Sequence, residues 1–171
     1  MAALQERFAA AKQAVELAGP RLALLKATTI LALVVLRIQS KGLPGRAYST
    51  VKVPTFFFYN KTLNAGGRAY IKANKTGTWA GLRGAQGLPT SFVNLTYSGM
   101  MIRSLTATED SASGAVFRAK LIASDEQNAR LVDYNITRYG NWLLPTPSEE
   151  TEANAAVVAE INRIVANIFA A

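Results

Sequence analysis

Residues 146–170, TPSEETEANAAVVAEINRIVANIFA, carry the clearest local instruction in the chain. Thr146 is a hydroxyl residue suited to capping a helix, and Pro147 follows where a first helical residue has no amide bond to lose. Glu149 falls three residues after the cap, which completes a capping box. The helix so opened places Val157, Ile161, Ile164, Val165 and Ile168 on one face, and an amphipathic C-terminal helix over 146–171 is predicted. An apolar face of that kind needs a partner, and the other end of the chain offers one. Leu4, Phe8, Ala11, Val15, Ala18, Leu22 and Leu25 recur at helical spacing. Gly19-Pro20 interrupts that stripe, because proline lacks the donor and clashes with the preceding turn. The N-terminal helix is therefore expected to kink, or to end near Ala18 and restart at Pro20, running to about Gln39 before the 41–45 turn.

Between the helices the composition favours strands. Residues 51–59 hold Val51, Val53 and the ring cluster Phe56-Phe57-Phe58-Tyr59, with Pro54 indicating an edge or a bulge. Residues 68–73 alternate weakly and could pair with it, and 92–97 read as a short strand. Residues 102–108 and 115–123 read as an antiparallel pair joined by 109–114. In the second of these Phe117, Ala119 and Leu121 alternate with Arg118 and Lys120, the pattern of a strand with one wet face. Glycines 77, 81, 84 and 87 with Pro89 make 74–91 a glycine-rich basic loop, and 128–134 a short helix. The expected fold is one α+β domain over 1–171: a helical part at 1–40, a small antiparallel sheet with its long loop at 46–124, and the C-terminal helix.

Charge is sharply segregated. No acidic residue lies between Glu16 and Glu109, a stretch holding twelve of the 19 lysines and arginines, whereas from Glu109 onward nine acids face five bases. The net charge of +8 therefore sits in the middle of the chain and calls for an external anion or an acidic neighbour. Lys52, Lys61, Arg68, Lys72, Lys75 and Arg83, interleaved with Tyr70 and Trp79, are the candidates for backbone phosphate contact or for contact with a neighbouring protein. Phe56, Phe58, Trp142 and Leu143 are the candidates for contact between subunits. Rings on both faces of a strand need cover from the monomer itself or from another subunit. Trp142 and Leu143 sit in an extended segment between Gly140 and Pro145 where anchors dock, with core packing within one chain as the alternative.

Catalysis is poorly supplied. The chain has neither histidine nor cysteine, which removes the usual general base, thiolate chemistry, disulfides and the commonest metal ligand. The carboxylate pairs Glu109-Asp110, Asp125-Glu126 and Glu149-Glu150 sit at turns and helix starts, where structural roles suffice. The spacing of Asp125, Glu126 and Asp133 matches no calcium loop, and glycines 81, 84 and 87 lack the lysine of a phosphate-binding loop. No enzyme, cofactor or metal is expected. The densest apolar run, residues 27–36, is shorter than the roughly 20 residues of a membrane span and reads as a buried helix. The N-terminus lacks the basic region of a secretory signal, and the four Asn-x-Thr sequons are taken as chance.

Several segments in order resemble the phage virion-morphogenesis or tail-completion (neck) proteins. Leu36-Arg37-Ile38-Gln39-Ser40 is similar to the end of that family's long first helix. Gly45-Arg46-Ala47-Tyr48-Ser49-Thr50 is similar to its glycine-bearing loop and aromatic segment. Leu95-Thr96-Tyr97-Ser98-Gly99-Met100-Met101-Ile102-Arg103-Ser104-Leu105 resembles the segment leading into its strand pair. Asn141-Trp142-Leu143-Leu144-Pro145-Thr146-Pro147 resembles the segment before its last helix. The likeness runs from about Thr28 to the C-terminus and rests on order and spacing; the Phe56 cluster departs from it, as does the lack of His or Gln before glycine near the short helix. The resemblance implies a virion protein forming a hexameric ring at the head–tail junction, between portal or adaptor and tail, as tail terminator, stopper or tail-completion factor. Genomic DNA would pass through its lumen. The alternative that the residues allow is a sequence-independent nucleic-acid-binding module acting as monomer or dimer.

Overall fold

The computed structural model describes residues 2–59, 62–96, 99–113 and 116–170, and the fold is α+β. Helices α1 (Ala2–Leu17) and α2 (Gly19–Lys41) follow one another with a single-residue break at Ala18. A middle unit comes next: strand β1 (Val53–Pro54), a 3-10 turn (Thr55–Phe58), helix α3 (Ala65–Ala73), strand β2 (Thr76–Gly77) and helix α4 (Trp79–Ala85). Helix α5 (Met100–Arg103) leads into the hairpin β3 (Leu105–Ser113) and β4 (Val116–Ala123), and helices α6 (Glu126–Tyr139) and α7 (Pro147–Ala170) complete the chain. The two sheets each have two antiparallel strands, β1 with β2 and β3 with β4.

Helix α7 runs antiparallel along α2 and α1, as three contacts show. Glu149 meets Arg37, Glu160 meets Arg21, and Phe169 stacks edge-on against Phe8 at 5.3 Å. The capping box predicted from sequence is present: the Thr146 amide donates to Glu149 Oε2 at 2.7 Å, and the Glu149 amide donates to Thr146 Oγ1 at 3.3 Å. The hairpin lies along α2 as well. Phe117 packs so closely on Gly19 that any Cβ there would enter its ring. The glycine of Gly19-Pro20 thus makes room for the hairpin, and the proline begins α2 where its missing amide costs nothing.

The main core gathers Val34 and Ile38 of α2 with Val93, Met101, Leu105, Val132 and Trp142. A smaller core of Phe58, Leu63 and Leu82 holds the middle unit together. Helix α2 departs from the expectation of a buried helix. At 23 residues it is long and apolar enough to cross a bilayer by composition, yet only 22% of its most apolar window is buried. Its interior stripe is Leu22, Ala27, Val34 and Ile38, most of its other large apolar side chains are half-buried, and Leu36 stands in solvent.

The middle of the chain corrects five sequence expectations. The ring cluster forms a 3-10 turn, in which Phe58 points inward at 2% exposure while Phe56 and Phe57 stand in solvent. Residues 68–73 belong to α3, whose start is capped by Asn64 Oδ1 accepting from the Gly67 amide at 2.9 Å. The glycine-rich segment contains β2 and α4, the latter capped by Thr78 Oγ1 accepting from the Gly81 amide at 2.9 Å. Its glycines are there for packing: the Tyr70 hydroxyl lies over Gly77 and Gly81, and a Cβ at Gly66 would collide with the Ala85 carbonyl, so α3 and α4 approach backbone to backbone. Among the described residues 92–97 form no strand. Instead Val93 exchanges backbone bonds with Leu43 and Arg46, a tie between the loop after α2 and the core. Residues 102–108 divide between α5 and β3, so Glu109 and Asp110 lie within a strand and not in a turn; Tyr97, Ser98, Gly114 and Ala115 lie outside the described residues.

Two stability outcomes follow from these contacts. Gly66→Ala is expected to cost about 1–3 kcal/mol in denaturant melts, as overpacking does, whereas Gly84→Ala, whose methyl group would make only an ordinary contact with Thr90 Cγ2 at 3.7 Å, should be neutral or gain up to about 1 kcal/mol. The Glu149 carboxyl is pushed up by burial, its largest single influence, but hydrogen bonds from Arg37 and Thr146 and the Arg37 charge outweigh it and hold it below its usual value. A depressed carboxyl stabilises the fold above its unfolded value and loses that contribution as pH falls through the folded value. Urea melts from neutral to acidic pH should therefore show part of the acid-side loss disappearing in Glu149→Gln.

Candidate functional site

The five basic candidates within the described residues fall into two groups. Lys52, Arg68, Lys72 and Lys75 are exposed. Arg68 and Lys72 stand four residues apart on α3 and so share a face. Lys75 immediately precedes β2 and Lys52 immediately precedes β1, and these strands pair with Val53 opposite Gly77. The turns of α3 and the short ladder therefore set four cations on one unit that contains no carboxylate. Arg68 Nη1 also donates to the Leu63 carbonyl at 2.5 Å, which steadies its stem near the start of α3. Lys61 lies outside the described residues.

Arg83 differs from the other four. It is 2% exposed, so it offers no surface to phosphate. Its Nε donates to the Pro89 carbonyl at 3.0 Å, Nη1 to the Thr96 carbonyl at 2.6 Å and Nη2 to Asn94 Oδ1 at 3.0 Å. The guanidinium lies 3.9 Å from the centre of the Tyr48 ring, whose hydroxyl donates to the same Asn94 oxygen at 3.0 Å. Burial, the largest influence, pushes the Tyr48 hydroxyl up despite the pull of the Arg83 charge. Arg83 thus acts as a buried hub that fixes the 89–96 segment on α4, and its assignment to a lumen or a neighbour is corrected.

Among the aromatic candidates, Phe58 and Trp142 belong to the two cores, at 2% and 5% exposure, and so are buried within the chain itself. Leu143 is half-buried against the main core. Phe56 does remain exposed, stacked on Phe57 at 4.3 Å. Sequence reasoning missed two further features. Phe57 and Tyr59 are as open as Phe56, and with Trp79 they form one wall of a groove of about 580 Å³. The opposite wall is α6, which presents Gln127, Leu131, Tyr134 and Arg138. The signal was available: Val132 and Ile136 already give α6 an inward face, so Leu131 and Tyr134 mark a second apolar face.

Asp125 has structural work: it caps α6, accepting from the Asn128 amide at 2.9 Å and from Asn128 Nδ2 at 2.7 Å, and these hydrogen bonds hold its carboxyl below the usual value. Among the described residues no three His, Cys, Asp or Glu side chains gather as a metal site. No known family model, curated protein or solved structure matches the chain.

Removing the Arg83 head group should take the donor from the Pro89 and Thr96 carbonyls and leave Asn94 Oδ1 with one donor fewer, a loss of about 1–3 kcal/mol for each acceptor left unpaired. Arg83→Met is accordingly expected to lower the melting temperature strongly, whereas Lys72→Ser and Lys75→Ser should each change stability by no more than about 0.5 kcal/mol.

Proposed function

We propose that the protein is a non-enzymatic structural subunit of a tailed-phage neck, assembling into a ring that joins the portal complex to the tail and surrounds the passing DNA. The observation that carries this reading is the combination, on one small unit, of four exposed cations without an acid and the exposed rings Phe56, Phe57 and Tyr59. Diffuse cations suit a surface that must hold DNA without reading or trapping it, because phosphate attraction is independent of sequence. Exposed rings, with Leu36 of α2 also standing in solvent, suit a subunit completed by neighbours that would cover them. Closed rings arise when such contacts are head-to-tail and the rotation closes. The order of segments that resembles the neck proteins adds a virion setting, with portal or adaptor and tail proteins as neighbours and assembly in the host cytoplasm.

The same four cations also favour the second reading, a free nucleic-acid binder. Absolute mass by light scattering at low and high salt, on nuclease-treated protein, separates the two. The ring reading expects a discrete multimer that survives salt, with ring-shaped particles in negative stain. Substituting Lys52, Lys72 and Lys75 with Ser should leave that multimer intact and weaken DNA retention, each lost phosphate contact lowering the slope of log K against log salt by about 0.9. A monomer with tight, salt-steep DNA binding that the triple substitution abolishes would establish the free binder instead.

A further inference from the structure

The groove between α6 and the middle unit is built to be filled. Leu131, Tyr134, Phe57 and Tyr59 on its walls are 43–78% exposed, and its floor reaches the buried side chains of Val93, Met101 and Phe58. A concave site lined by rings and floored by core residues is where anchor residues of a partner gain most. Its described lining holds two cations, Arg83 and Arg138, and no carboxylate. Arg83 is committed inside, but Arg138 is exposed at the rim, with Nη1 donating to the Tyr134 hydroxyl at 2.9 Å. The occupant should therefore be slim, partly apolar and acidic.

The β3–β4 hairpin has that character. Towards its turn β3 exposes Glu109 and Asp110, and β4 begins with Val116 at 51% exposure. The sequence between them, Ser111-Ala112-Ser113-Gly114-Ala115, contains only small residues. Asp110 is tied to Lys120 of its own hairpin at 3.3 Å, whereas Glu109 has no ion pair among the described residues. The hairpin cannot reach the groove of its own chain. Its root, Leu105 opposite Ala123, joins the core at Val34 and Ile38, next to the groove floor. Its outer part lies at the other end of α2, where Phe117 meets Gly19. Gly19 and Val34 are fifteen helical steps apart, about 22 Å along α2. We propose that the hairpin tip of one copy docks in the α6 groove of the next, with Glu109 at the Arg138 rim. Such a contact is head-to-tail, the kind that closes into a ring, and it rests on the ring-subunit reading above.

The chain has no cysteine, so an introduced pair reports cleanly. Ser111→Cys and Gln127→Cys chains, mixed under mild oxidation, should give a disulfide-linked dimer that neither variant gives alone. The doubly substituted chain should give a ladder of linked multimers. In light scattering at the highest soluble concentration, Arg138→Glu and Glu109→Arg should each weaken self-association about tenfold, and their combination should restore it. Unchanged melting temperatures would confirm that these exposed substitutions leave the fold intact. If the unsubstituted chain assembles, yet no cross-link forms and Arg138→Glu assembles as well, the docking is overturned while the ring reading stands. A monomer throughout, without cross-links, overturns self-docking, and the mass of the unsubstituted chain shows that self-assembly has failed with it. Quenching of Trp79 by oligothymidylate, lost in Arg138→Glu and without cross-linking, would assign the groove to nucleobases and overturn the proposal.

Discussion

The Arg37–Glu149 pair is the constraint on which the arrangement of helices depends. Its Nε–Oε1 distance is 2.8 Å, and both partners are largely buried and tied elsewhere. Arg37 Nη2 also donates to the Leu144 carbonyl at 3.1 Å, and the second Glu149 oxygen closes the α7 cap. A buried ion pair gains little net energy, because desolvation consumes most of the attraction. Its effect here is on register. Four groups from α2, the 142–144 turn and the first turn of α7 are satisfied together in one arrangement, and sliding either helix by a turn would strand a charge. That arrangement also delivers Trp142 to the core beside Val34 and Ile38.

The pairing also redistributes charge. The acids of α7 lie far in sequence from the basic stretch, yet Glu149 and Glu160 neutralise Arg37 and Arg21, with Glu160 shared by Arg163. The basic half of the chain is thereby balanced where it packs and left uncompensated on the middle unit. A uniform excess of positive charge would give a weak field everywhere. Segregation gives a strong one over a small area, where Lys52, Arg68, Lys72 and Lys75 stand within one compact set of turns.

What could be read from sequence was what depends on neighbours a few residues away. The α7 cap, the break at Gly19-Pro20, the alternation of β4 and the α6 region were legible because each is a local rule. The middle unit was not. Glycines 77 and 81 resembled loop residues because the reason for them, the Tyr70 hydroxyl, lies on a different element. Arg83 looked like a solvated charge because its partners are carbonyls and an amide, and no nearby acid announced its burial. Phe58 and Phe56 are two residues apart and would share one face of a strand. In a 3-10 turn, with three residues per turn, they point in different directions. The apolar face of α6 escaped notice because polar residues interrupt it and the span legible as helix, 128–134, leaves out Arg138 and Ile136.

The hairpin contains a further irregularity with a consequence for how this molecule can change. Glu109 lies opposite Ala119 and Ser111 opposite Arg118, so Asp110 is an extra residue, a bulge in β3. The root of the hairpin is held by α2 and the main core, and its register is fixed there. Beyond the bulge the outer hairpin is set apart from that register. Losing Asp110, or gaining one residue beside it, would exchange the two faces of β3 beyond that point while leaving the root untouched. The bulge is thus an adjustable joint, by which related chains could re-aim the tip towards a different surface without redesigning the body that carries it.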